Sequence, residues 1–164
     1  MSATIVTHDA LRSFHADLER DRVWAFFWEI PSLARCIPGC ESVVSVDEGE
    51  SYTASVRRQV GPFSLRFALA VRVLDRTPPS EIGIEVRGED RRLRSEVRQE
   101  IVVRLSDARD AGGTRGEIRA KVEVTGLLAS LGANLVRMHV DQGLTEFVDA
   151  IETALAGTSA AAAR

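Results

Sequence analysis

A chain of 164 residues, 45% hydrophobic and 27% charged, is long enough for one domain to bury a sizeable core without disulfide or metal staples. Its formal charge of −3 argues against a nucleic-acid binder, which would carry a basic stripe. No apolar run reaches the length of a membrane span, and the N-terminus lacks the basic-then-apolar layout of a secretion signal, so the expected location is the cytoplasm.

The first element is expected over Leu11 to Leu18, a strand with Phe14 and Ala16 on one face and Ser13 and His15 on the other. Asp21 to Trp28 reads as a short helix, rich in aromatic residues. Pro31 ends it or opens the next turn, Ser32 to Arg35 allow one more helical turn, and Pro38-Gly39 closes this helical corner. From Glu41 the pattern turns to alternation. Val43 to Val46 leads into the turn Asp47-Glu48-Gly49-Glu50, and Tyr52 to Val60 puts Tyr52, Ala54, Val56, Arg58 and Val60 on one face. After Gly61-Pro62, Phe63 to Leu74 alternates again. Past the turn at Thr77 to Ser80 come Ile82, Ile84 and Val86, a charged hairpin at Gly88 to Arg92, then Leu93 to Leu105. The loop Asp107 to Gly113 precedes a last strand whose apolar face is Ile118, Ala120, Val122 and Val124. Half-apolar strands of this kind belong to an antiparallel sheet with one covered face.

Gly126 to Ala156 contains no proline and is expected to form one helix, roughly 45 Å long. Its second half presents Val140, Leu144, Phe147, Val148, Ile151 and Leu155 as one apolar stripe. Followed toward the start, that stripe is made of the small residues Ala129, Gly132, Ala133 and Val136, with Gly143 just beyond. The bulky half can fill a core, and the small half predicts a pocket between itself and the sheet. Leu128, Leu131, Leu135 and Met138 form a second stripe, displaced around the helix. It is expected to face water and to dock a partner, a second copy or a membrane. A kink at Gly132, or a helix starting only after it, would instead turn these residues inward.

Only this helix is long enough to cover the sheet. The fold class is therefore α+β: a strand, a short helical corner, a meander of strands making about seven in all, and a long C-terminal helix. One domain is expected over residues 8–157, with 158–164, mostly alanine, as a disordered tail.

This order of elements resembles the helix-grip fold of the START-like, or SRPBCC, superfamily, in which a curved antiparallel sheet wraps a long C-terminal helix around a cavity. Val23-Trp24, the run Leu33-Ala34-Arg35-Cys36-Ile37-Pro38-Gly39-Cys40-Glu41, then Val60-Gly61-Pro62 and Gly126-Leu127-Leu128-Ala129-Ser130-Leu131-Gly132 follow in the order seen in the carbon monoxide dehydrogenase G-subunit (CoxG) family. The chain departs from the family pattern at Glu29-Ile30, where an Asp-Pro pair is usual, and at Glu89 to Arg94, which stands in place of a glycine-rich hairpin. The resemblance implies a carrier of a hydrophobic, quinone- or lipid-like small molecule. It would deliver this cargo to a redox enzyme such as a CO dehydrogenase-type molybdenum hydroxylase, or aid that enzyme's recruitment to the inner face of the membrane. The alternative within the superfamily is a polyketide cyclase-like enzyme using the same cavity.

Polar residues in apolar strand phases are the most informative. Arg58 is in phase with Val56 and Val60, and Ser95 and Gln99 are in phase with Val97 and Ile101. The expected cavity is therefore lined by Tyr52, Val56, Arg58, Phe67, Ser95, Gln99, Ala133, Val136 and Val140, with Tyr52, Arg58, Ser95 and Gln99 as its few polar groups. Alternatively, Arg58 sits near a sheet end and snorkels to water. In a cyclase, Arg58 and Tyr52 would polarise a carbonyl. Cys36 and Cys40 read as structural thiols, since His8, His15 and His139 are scattered and supply no zinc set. His139 and Asp141 stand two apart on a helix, do not face each other, and read as solvated. No nucleophile elbow or cofactor motif occurs. The arginines Arg87, Arg91, Arg92, Arg94 and Arg98 alternate with Glu85, Glu89, Asp90, Glu96 and Glu100. They read as cross-strand ion pairs on a solvated hairpin, the alternative being contact with anionic lipid or an acidic partner.

Overall fold

Apolar and polar residues alternate with the two-residue period of a pleated strand along most of the chain. The result is seven strands: β1 (Ile5–Ala16), β2 (Cys40–Asp47), β3 (Ser51–Val60), β4 (Phe63–Thr77), β5 (Glu81–Asp90), β6 (Ser95–Asp107) and β7 (Thr114–Thr125). They form one antiparallel sheet in the order β1-β7-β6-β5-β4-β3-β2. The computed structural model describes residues 4–47, 49–109 and 112–162. Helices α1 (Arg20–Trp28) and α2 (Ile30–Ala34) make the corner between β1 and β2, and α3 (Leu127–Ser130) and α4 (Ala133–Ala162) follow β7.

Register puts the main apolar phase of the strands on one face and leaves Ile5, Leu11, Val44, Val46 and Leu74 exposed. Val6, Ala10 and Phe14 of β1 lie opposite Val124, Ala120 and Gly116 of β7, and Ile82 and Ile84 of β5 lie opposite Val103 and Ile101 of β6. Against this face α4 buries Val136, Leu144, Val148, Ile151 and Leu155, spaced as one helical stripe. Phe27 of α1 is buried with its ring centroid 5.9 Å from that of Phe14, so the corner closes one end of the same core. This is the helix-grip arrangement.

Polar contacts fix α4 along the β1 edge. His8 Nε2 lies 2.9 Å from Asp141 Oδ1, and Arg12 Nε donates to Thr145 Oγ1 at 3.2 Å. Both strand residues face the covered side, in register with Val122 and Ile118. On the opposite face the expected cross-strand pairing is only partial: β5 and β6 set like charges opposite each other, Glu85 with Glu100, Arg87 with Arg98 and Glu89 with Glu96, and of the expected arginines Arg98 alone is paired across the two strands among the described residues. Glu85, whose side chain keeps only a tenth of its surface exposed, meets Arg87 at 3.1 Å and Arg72 and Arg98 at 3.5 Å, while Arg91 meets Glu89 at 3.3 Å.

Three boundaries differ from the sequence expectation. β1 starts at Ile5, because its first residues pair with the end of β7. β6 starts at Ser95 rather than Leu93, because the Asp90 carboxylate accepts the N–H groups of Leu93 (3.1 Å) and Arg66 (3.2 Å) and pins the turn. α4 runs to Ala162, past the expected domain limit at 157, as the helix propensity of an alanine-rich segment favours. The last two residues of the expected tail lie outside the described residues.

The largest difference concerns the C-terminal helix. The single helix expected from Gly126 is two, α3 and α4, interrupted at Leu131-Gly132, where Gly132 has φ 115. The first turn is bound to the sheet: the Leu128 N–H donates to Ser95 Oγ at 2.8 Å. Gly126, at φ 84, lies so close to the β5–β6 turn that a Cβ there would stand 2.0 Å from the Arg94 carbonyl oxygen. The chain has to redirect before α4 can follow β1, and Gly132 supplies the backbone angle.

Candidate functional site

Between the first half of α4 and the sheet lies an apolar cavity of about 250 Å³. Its floor is built from β3 to β7, including Val56, Leu65, Phe67, Ile101, Ile118 and Val122. Leu128, Val136, Val140, Leu144 and Phe147 form the roof, and Ile37 and Pro38 of the corner close one side. Two positions in the lining are small, Gly143 in the roof and Ala120 in the floor, and leave space between helix and sheet. Glycine inside a helix costs about 1 kcal/mol relative to alanine. At Gly143 an added Cβ would meet only the Arg58 guanidinium, at 3.6 Å.

Three polar side chains border the cavity: Arg58 from β3, Gln99 from β6 and His139 from α4. Arg58 reaches from the sheet to the helix, where its Nη1 lies 3.4 Å from Glu146 Oε2. The arginine side chain is 23% exposed and the glutamate 58%, so this is a loose pair at the rim. His139 differs from both. Among the described residues, its Nδ1 is the one buried side-chain nitrogen or oxygen without a hydrogen-bond partner.

The cavity therefore gathers Val56, Arg58, Phe67, Gln99, Val136 and Val140 from the residues expected there, and excludes three. Tyr52 is buried toward the other end of β3, where its hydroxyl accepts the Gly49 N–H at 3.0 Å and holds the β2–β3 turn. Ser95, 1% exposed, donates to the Leu93 carbonyl at 3.1 Å and accepts from Leu128, so its hydroxyl is spent on joining α3 to the sheet. Ala133 opens α4 just after the break and lies outside the lining. The same break disposes of the expected water-facing stripe. Leu128 is turned inward and lines the cavity, Leu131 and Leu135 are half-buried against the core, and Met138, 48% exposed, is the one member left facing water. His139, read as solvated, faces the cavity, whereas Asp141 turns to His8. Its spacing carried the signal: His139 follows Val136 by three and precedes Gly143 by four, which puts it on the cavity stripe.

A sequence profile of the carbon monoxide dehydrogenase G-subunit (CoxG) family matches residues 13–156. The chain belongs to this family. Solved structures share its fold. A conserved protein from Geobacillus kaustophilus is 21% identical, with 90% of this chain and 95% of that one covered at a TM-score of 0.79. Truncated norcoclaurine synthase from Thalictrum flavum is 13% identical, with 94% and 97% covered at 0.59. Ara h 8.0201 is 11% identical, with 91% and 97% covered at 0.60. No curated protein sequence matches the chain.

In this CoxG family member the Cys-Ile-Pro-Gly-Cys run is a structural corner that helps wall the cavity. Gly39, at φ 82, sits where a Cβ would stand 1.9 Å from the Arg57 carbonyl oxygen, and its own carbonyl accepts the Arg57 N–H at 2.9 Å. That contact locks the corner to β3 one residue before Arg58 and sets Ile37 and Pro38 against the cavity. Burial pushes the Cys36 thiol above its ordinary pKa and does the same to Cys40, so both stay protonated and weakly nucleophilic at neutral pH. Among the described residues no helix is long and apolar enough to cross a membrane.

Proposed function

We propose that this chain binds one small, largely apolar, carbonyl-bearing molecule beneath α4 and passes it to a redox enzyme, with a quinone as the ligand class. The observation that carries the reading is the cavity itself, apolar on floor and roof, with Arg58, Gln99 and His139 as its only polar border among the described residues. Such a site holds a guest by burial and orients it by a few polar bonds. At about 250 Å³ it falls below the roughly 300–1,000 Å³ typical of drug-sized ligands, so it takes a ring-sized head group rather than a whole lipid. A long tail would have to extend out of the cavity. Family membership supports a molybdenum hydroxylase as the receiving enzyme, reached at the cytoplasmic face of a membrane, with the exposed Met138 beside the docking contact. A homodimer through the same contact is the variant of this reading.

A second reading, a cyclase-like enzyme, draws on Arg58 and on the fold shared with norcoclaurine synthase. It is weakened because Tyr52, the other candidate for polarising a carbonyl, is committed to Gly49 away from the cavity.

Arg58→Leu tests the binding reading. The exposed pair with Glu146 contributes at most about 1 kcal/mol, so the melting temperature should move by no more than about 3 °C. Affinity for 2,3-dimethyl-1,4-naphthoquinone, measured by tryptophan fluorescence, should fall about tenfold, the loss of one charge-assisted hydrogen bond. A large drop in melting temperature with affinity intact would make Arg58 a structural residue instead.

A further inference from the structure

We infer that His139 is the residue by which the cavity tells a carbonyl-bearing guest from a plain hydrocarbon, an inference that rests on the binding reading above. The chain has three histidines. His8 is engaged with Asp141 at 2.9 Å, and His15 Nε2 with the Gly112 carbonyl at 2.8 Å. His139 alone holds a buried ring nitrogen, Nδ1, with no partner among the described residues, and it does so at the cavity wall. A buried polar nitrogen left unpaired costs about 1–3 kcal/mol, and nearly all such groups in folded proteins have a partner. A guest that supplies the missing hydrogen bond removes that penalty on binding, and a guest that cannot leaves it in place. Sites built this way reject analogues lacking the polar group far more strongly than sites that merely measure shape.

The neighbours fix the chemistry of the guest. Gly143 lies four residues after His139, about 6 Å along the axis, and the Arg58 guanidinium packs against it. Arg58 can only donate, and Nδ1 donates in one of the two neutral tautomers. Each of these donors, set in the wall of an apolar cavity, calls for an acceptor, a carbonyl oxygen. Arg58, 23% exposed, already pairs with Glu146 at 3.4 Å with the cavity empty, so a guest adds to its contacts without relieving a buried unpaired group. His139 Nδ1 has no such partner, so among the described residues it is where a guest carbonyl relieves a buried unpaired atom.

The test compares 2,3-dimethyl-1,4-naphthoquinone with 2,3-dimethylnaphthalene, the same carbon frame without carbonyls, on the full chain and on His139→Phe, which keeps an aromatic ring and removes the nitrogens. The ratio of the two affinities should fall about tenfold in the variant, equivalent to about 1.4 kcal/mol, while the hydrocarbon binds as well or better. An unchanged ratio overturns the assignment and leaves the binding reading standing. If neither compound binds the unaltered chain, the binding reading fails and takes the assignment with it. A measurement that needs no variant stands beside this one. In the imidazole 15N spectrum of the unaltered chain, the naphthoquinone should shift the Nδ1 resonance of His139 and leave those of His8 and His15 in place. A His139 resonance that does not move while the compound binds overturns the assignment even if His139→Phe fails to fold.

Discussion

Gly126→Val is expected to destabilise the chain by more than about 3 kcal/mol, among the largest effects of any substitution away from the core. Left-handed backbone costs a β-branched residue about 1–2 kcal/mol. The new Cβ would stand 2.0 Å from the Arg94 carbonyl oxygen, inside any contact real atoms make. Neither the β5–β6 turn nor α3 can shift freely, since Ser95 Oγ joins Leu93 to Leu128. Relieving the clash therefore breaks that buried link and adds about 1–3 kcal/mol for the orphaned Leu128 N–H. Urea unfolding gives the comparison directly, with Gly132→Ala as the reference. Gly132 also has a positive φ, 115, but nothing lies within 4 Å of its Cβ position, so only the conformational cost of about 1–2 kcal/mol applies. Equal losses in the two variants would mean that the Arg94 contact does not hold α3 in place.

Val140→Trp should abolish guest binding while the chain stays folded. Val140 sits half-buried in the roof, directly over the void. An indole there can turn into about 250 Å³ of empty space. Overpacking typically costs about 1–3 kcal/mol, and the apolar area newly removed from water offsets much of it at about 25 cal/mol per Å². Affinity for the naphthoquinone should fall more than about a hundredfold, with the melting temperature within about 5 °C of the unaltered chain. Binding that persists in a folded Val140→Trp variant would place the guest elsewhere.

The fold is legible in the sequence because it rests on periodicity. Strand alternation from Tyr52 to Val124 and the stripe Leu144, Val148, Ile151 and Leu155 each record which face is covered, and the structure uses those faces. The break before α4 is only partly legible: a glycine inside a helical pattern is compatible with a continuous helix, and Gly132 marks the place where a kink or a later start is the alternative. What forces the interruption is long-range: the approach of Gly126 to Arg94 and the bond from Leu128 to Ser95, which no local pattern encodes. Ser95 and Ala133 are displaced from the cavity by this arrangement, whereas Tyr52 is held by a local bond to Gly49. Ser95 has the expected strand phase and a different role, because phase places a side chain on a face without saying what it meets there. Tyr52 has the expected face but stands at the wrong end of the strand. His139 is within reach of the pattern, since the spacing Val136, His139, Gly143 marks one stripe. Its near neighbour Asp141 obscures this, because two polar residues so close in sequence resemble a solvated segment.

Native mass spectrometry of the chain purified from its own cells, beside its Val140→Trp variant, tests the central claim most directly. The account predicts a one-to-one complex with a low-mass apolar molecule that carries at least one carbonyl, present on the unaltered chain and absent from the variant. A bare polypeptide mass for both, or a guest retained equally by both, would contradict it.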